Sequence, residues 1–233
     1  MKIIKNESRI KRNASMGGWL MFAAVIILTG GLYFTMSQIA DYQLVIFGFV
    51  AFIVGFIMMQ IGIFMGNRWG GKPRPDEKLD AALKGLPGDF SIYHFMTPAS
   101  HLLVGPAGIW VLIPYRQRGV VTYTKNRWRV GKGGFLQAYM SIFGQEGIGR
   151  PDLEAEAEII AVKRGLAKNL SAEEVPGVQA ALIFINETAE IRADGAPLPA
   201  LKLKQLKDFM RQKVKEKAIS TTQLAAVKAA LPK

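Results

Sequence analysis

The chain contains no cysteine in 233 residues. Disulfides and Cys-ligated zinc or iron–sulfur sites are therefore excluded. Histidine is nearly as scarce: His94 and His101 are the only two, too few for a metal site built mainly from imidazoles. Acids are also in deficit, with 18 Asp and Glu against 30 Lys and Arg, a net charge of +12 and a pI near 9.9. The most telling absence is local. Residues 16–36 and 44–65 contain no Asp, Glu, Lys or Arg at all.

Each of these uncharged runs is apolar and about 20 residues long, which at 1.5 Å per residue matches a hydrocarbon core of roughly 30 Å. Only a few residues around Asp41 separate them, so the expectation is a transmembrane helical hairpin. Lys2, Lys5, Arg9, Lys11 and Arg12 precede the first run, and Arg68, Lys72 and Arg74 follow the second. The turn carries Asp41 and no Lys or Arg. By the positive-inside rule both termini are cytoplasmic in a bacterial-type cytoplasmic membrane. Trp19, Tyr42 and Trp69 fall near the run ends, where amphipathic rings favour the interface. A cleaved signal peptide is the rival reading. The first run is long for one, and no small-x-small site precedes Asp41. Gly48, Gly55 and Gly62 recur every seven residues and form a stripe for close helix approach, either to the first helix of the hairpin or to another molecule.

The organisation expected is a basic segment at 1–15, the hairpin at 16–66, a Gly/Pro linker at 67–75, an α/β domain at 76–217 and a short helix at 218–233. Periodicity predicts a helix over 76–86, from Leu79, Ala82, Leu83 and Leu86. Strands follow over 91–96, 101–104, 108–113, 120–124 and 127–130. A helix opens at Pro151–Asp152 with acids in its first turn. The continuous apolar run 178–185 predicts a fully buried strand. Residues 201–217 form an amphipathic helix, and Ser220 with Gln223 makes a capping box for the last one. The fold class expected is α/β, a mixed sheet with helices packed against it.

The stretch His101-Leu-Leu-Val-Gly-Pro-Ala-Gly-Ile-Trp-Val-Leu, with Gly119 and Trp128 after it, resembles the nuclease-related domain (NERD) family. Asp76-Glu77 opening a helix before it, Pro151 opening one after it, and Pro176-Gly-Val-Gln-Ala-Ala-Leu-Ile-Phe-Ile-Asn complete the ordered set, which spans about 75–212. That resemblance implies a restriction-endonuclease-like PD-(D/E)xK fold and, where the site is intact, magnesium-dependent phosphodiester cleavage. A hard cation needs carboxylate oxygens, and an E-x-K triplet on a strand brings carboxylate and ammonium to one face. The family pattern has an Asp where this chain has Ser100, and Glu-x-Lys where it has Ile113-Pro-Tyr115. Only the helix carboxylate survives, as Glu77 with Asp76 beside it. The resemblance therefore implies a pseudo-enzyme with no cofactor, its degenerate positions being Glu77, Ser100, Ile113 and Tyr115. Magnesium enters only if a rearranged site cuts.

Tyr115 has no evident base, so a nucleophilic role is not expected. His94 and His101 are expected to be packed or hydrogen-bonded, with His101 pointing away from Ser100. Pro114 suggests that its strand ends early or was released from a reactive role. Gly131-Lys-Gly-Gly134 lacks a Walker pattern and reads as a turn. The run 135–143 reads as core packing, with an interfacial helix as the alternative. Arg116, Arg118, Lys125, Arg127 and Arg129, with Tyr123 and Trp128 interleaved, are the nucleic-acid-binding candidates, against the plainer reading of an edge-charged hairpin. The lysines of 201–217 read as a solvated face or an anionic-lipid contact. The expected function is a membrane-tethered, inactive binding or scaffold module with the bilayer as partner and nucleic acid or anionic headgroups as candidate ligands. The alternatives are a magnesium nuclease with a rearranged site and a structural membrane protein without nucleic-acid affinity.

Overall fold

The structure, a computed structural model, describes residues 1–38, 41–131, 148–171 and 175–232. The chain divides into two compact units: Glu7–Arg74, and Met1–Asn6 together with Pro75–Lys233. The turn predicted at 131–134, beyond Gly131 itself, and the run 135–143 lie outside the described residues.

The first unit is a hairpin of α1 (Glu7–Ser37) and α2 (Tyr42–Met65), closed by a π-helical turn over Gly66–Gly70. Both helices are long and apolar enough to cross a membrane. Helix α1 begins at Glu7, ahead of the uncharged run, so the basic flank Arg9–Lys11–Arg12 is itself helical. The glycine stripe is used inside the hairpin. A Cβ on Gly48 would collide with Thr35 of α1, and one on Gly62 would lie 2.5 Å from Met21 Cγ. Small residues therefore let the two backbones approach, as in other close helix pairs. Phe22, Ile26, Leu32, Phe47, Phe52 and Ile53 point outward and are more than half exposed. In water that surface is costly, whereas hydrocarbon accepts it.

In the second unit the elements are β1 (Lys2–Lys5), α3 (Pro75–Leu83), β2 (Ser91–His94), β3 (His101–Gly105), β4 (Gly108–Tyr115), β5 (Gly119–Thr124), β6 (Arg127–Val130), α4 (Pro151–Leu166), β7 (Val178–Phe184), β8 (Ala189–Arg192), β9 (Ala200–Lys202), α5 (Leu206–Glu216) and α6 (Thr221–Ala230). The main sheet runs β1-β2-β3-β4-β7-β9, with β3 antiparallel to the other five strands. One face carries Leu102, Val111, Ile113, Leu182 and Phe184 against Ala155, Val162 and Leu166 of α4 and Leu224 and Val227 of α6. The other carries Ile92, Leu103, Leu112 and Ile183 against Leu79 and Leu83 of α3 and Leu206 and Met210 of α5. Coverage on both faces is why β7 reads as an unbroken apolar run. A smaller sheet, β6-β5-β8, adds Val121, Trp128 and Ala189 to the first face's core.

Several boundaries differ from expectation. The N-terminal segment is no free basic tail: β1 pairs in parallel with β2, Lys2↔Ser91 through Lys5↔His94. Strand β4 runs through Pro114 to Tyr115. Its pairing with β3 stops at Val111, so Pro114 faces a strand on the β7 side only, and a missing N–H is tolerated there. The stretch expected as a helix from residue 201 opens instead with β9 and a 3-10 turn over Leu203–Gln205. The last helix, capped by Ser220 accepting from the Gln223 N–H, packs Leu224 and Val227 into the core and belongs to the domain.

Candidate functional site

Strand alternation sends Ile109, Val111, Ile113 and Tyr115 to the face that α4 covers. Ile113 is 4% exposed and Tyr115 8%. The Tyr115 hydroxyl donates to Glu154 Oε2 at 2.6 Å, and its ring stacks on Phe184 with centroids 5.7 Å apart. Ser100 Oγ donates to Glu158 Oε1 at 3.1 Å. Glu154 and Glu158 lie four apart on α4 and so share the helix face that looks at the sheet. Burial raises the Tyr115 pKa above its ordinary value, and the Glu154 hydrogen bond, with the charges of Glu154, Glu158 and Asp152, pushes the same way. The phenol is therefore a neutral hydrogen-bond donor and no nucleophile. Sequence reading missed both glutamates. The signal in the sequence is a pair of acids spaced by four on α4, of which Glu154 also belongs to the acidic first turn.

Glu77 does not join this group. It lies on α3, whose Leu79 and Leu83 pack on the opposite face of the sheet. The fully buried carboxylate of α3 is its neighbour Asp76. Lys5 of β1 reaches Asp76 Oδ2 at 3.1 Å and Asp80 Oδ2 at 2.5 Å. Asp80 Oδ1 lies 2.9 Å from His94 Nε2, and His94 Nδ1 lies 2.7 Å from His101 Nδ1. Both histidines are buried and hydrogen-bonded, and His101 sits on the α3 face, away from Ser100. Burial of Lys5 opposes its charge, but its bonds to Asp80 and Asp76 outweigh that, so its pKa is raised.

These positions do not suit the magnesium ion that the family resemblance implies. A hard cation requires convergent carboxylate and water oxygens. Ile113 offers none, the Tyr115 and Ser100 hydroxyls are hydrogen-bonded to α4, and α3 stands across the sheet. Among the described residues no group of three or more His, Asp or Glu is arranged to hold a metal ion.

The cations separate into two sets. Arg116 and Arg118 are exposed in the loop from β4 to β5. Lys125 and Asn126, both at positive φ (51° and 56°), make the two-residue turn of the β5–β6 hairpin. Arg129 stands opposite Thr122, and Arg127 opposite Thr124, on the outward face of the small sheet. Arg192 of β8 pairs with Thr122 from the other side and joins that face, a cation that sequence reading did not include. Its guanidinium lies 2.7 Å from Glu190. Tyr123 and Trp128 are cross-strand partners on the inward face, rings 5.2 Å apart, with Trp128 buried. The expected alternation of stacking rings with cations on one surface is therefore corrected: period two puts arginines outside and aromatics inside.

Compared with known proteins, the chain matches no family model, no curated protein and no solved structure.

Proposed function

We propose that the chain is a membrane-anchored, catalytically inactive NERD-like domain that acts as a binding or scaffold module on the cytoplasmic side. One observation carries the loss of catalysis. The positions where the resemblance calls for carboxylate and lysine are Ile113, in the core, and Tyr115, hydrogen-bonded to Glu154 at 2.6 Å. A mixed sheet flanked by helices is what the resemblance implies, and this sheet is mixed. Two further features support the anchored topology. Strand β1 precedes the hairpin yet belongs to the domain that follows it, so a hairpin that spans the bilayer must return the chain to the side it left. The basic flanks favour the cytoplasm as that side.

One observation favours the runner-up, a nuclease with a rearranged metal site: Glu154 and Glu158 approach the Tyr115 and Ser100 positions from α4. A cleavage assay with millimolar magnesium on the full-length, detergent-solubilised protein separates the two readings. The expected result is no cutting of plasmid DNA or RNA above buffer. Robust magnesium-dependent cutting that disappears in Glu77→Ala, or in Glu154→Gln with Glu158→Gln, would overturn the inactive reading.

A further inference from the structure

We infer that the outward face of the small sheet, with the loop that feeds it, docks on anionic phospholipid headgroups of the membrane that holds the hairpin. This inference rests on the membrane-anchored reading. Strands β1, β2, β4 and β7 run parallel and finish at one end of the main sheet. At that end the chain leaves β1 and enters α1 after a single residue, Asn6. The small sheet is threaded from the same end. Residues 116–118 lead from β4 into β5, and residues 185–188 lead from β7 into β8. The loops that carry the chain into the small sheet, with Arg116 and Arg118 in one of them, thus leave the main sheet at the end where β1 stops.

The chemistry of the face suits phosphate and nothing more specific. Glu190 is the one acid in β5, β6 and β8, and it is paired with Arg192. Trp128 and Tyr123 face inward, so among the described residues of this sheet no ring stands ready to stack on a base, the contact on which sequence-tolerant single-strand binding depends. Magnitude decides between lipid and polynucleotide. Each Lys or Arg brought to an anionic leaflet strengthens attachment roughly fivefold, so Arg116, Arg118, Arg127 and Arg129, the four besides the Glu190-paired Arg192, compound to several hundredfold. For a partner met from solution, that factor alone corresponds to a Kd on the order of millimolar. A leaflet in which the chain is already anchored is never dilute, and tethering supplies about millimolar effective concentration without any new contact.

The absence of cysteine makes the test clean. The full-length chain carries one engineered thiol, Thr124→Cys on the outward face or Gln212→Cys on α5 as control, labelled with a fluorophore. It is reconstituted into vesicles that contain a headgroup-linked quencher, made of phosphatidylcholine alone or with a minority of phosphatidylglycerol. The label at 124 is expected to be quenched severalfold more in the anionic vesicles. The difference is expected to vanish at molar salt, where the Debye length falls to about 3 Å, and in a variant carrying Arg127→Glu, Arg129→Glu and Arg192→Glu. The label at 212 is expected to ignore lipid charge. Equal quenching at 124 in both vesicle types, or an equal response at 212, would overturn the docking surface; the salt arm needs no variant. Withdrawal of the 124 label by micromolar oligonucleotide at physiological salt would overturn the lipid assignment in favour of nucleic acid. Release of the chain from the vesicles by alkaline carbonate would instead overturn the anchored reading itself.

Discussion

Tyr115 shows how one side chain can tie a strand end to the helix that covers it. Its hydroxyl is tied to Glu154 and its ring lies on Phe184, so it adds both a hydrogen bond and apolar contact to the core. Because burial and Glu154 raise its pKa above the value near 10 that it has when unfolded, its contribution to stability is complete below that pH and is lost as pH rises beyond it. Tyr115→Phe is expected to lower stability at neutral pH by about 1–2 kcal/mol, through loss of a hydrogen bond to a carboxylate. It should also remove part of the fall in stability above about pH 10. Urea midpoints of both proteins at neutral and alkaline pH check this; parallel alkaline limbs would contradict it. At this scale the sequence identified positions and left environments open. Ser100, Ile113 and Tyr115 were legible as positions on or beside the strands, and the acids of α4 as a spacing of four, yet nothing local showed that Glu154 and Glu158 would meet two of those positions. The arginines of β6 and the ring of Trp128 were likewise legible as residues, while their faces were settled only by strand register.

At the scale of elements, β1 is the piece that local pattern could not supply. Four residues reading Lys-Ile-Ile-Lys carry no turn signal and too little alternation, and their partners, Ser91 to His94, lie far along the chain beyond the hairpin. Pairing, burial of Ile4 against the first core and the Lys5 ion pairs make the strand together. Strands β8 and β9, of four and three residues, escaped for the same reason. Long, strongly patterned elements such as α4, β7 and the capped α6 were visible because their burial follows their own periodicity. Lys5→Met is expected to cost about 3 kcal/mol, since it takes the ammonium partner from the fully buried Asp76 and from Asp80. Because the Lys5 pKa is raised, that cost is present throughout the neutral range and shrinks only as pH rises past the ordinary lysine value. Hydrogen exchange resolves the element involved: protection of the Ile92 and His94 amides should fall in the variant. Unchanged protection would mean that Lys5 does not hold β1 in place.

Over the whole molecule, the N-terminal strand, the hairpin and the domain form a closed topological statement. A sheet that includes residues from before and after the hairpin cannot be assembled across a bilayer. In cells expressing single-cysteine variants, an impermeant maleimide is expected to label Asp41→Cys from outside and Gln212→Cys only after lysis. Labelling of Gln212→Cys alone in intact cells would reverse the orientation, and labelling of both would overturn the spanning hairpin. The sequence by itself determined the parts that depend on local composition: two uncharged apolar helices, the basic flanks and the order of the main elements. Each of these follows from the chemistry of adjacent residues. Only the tertiary structure decided that the first six residues complete the sheet, that α4 supplies the carboxylates facing Ser100 and Tyr115, that Glu77 stands on the other face, and that the glycine stripe is spent within the hairpin. Those outcomes depend on which distant segments share a face, and pairing register and packing set that where no local pattern does.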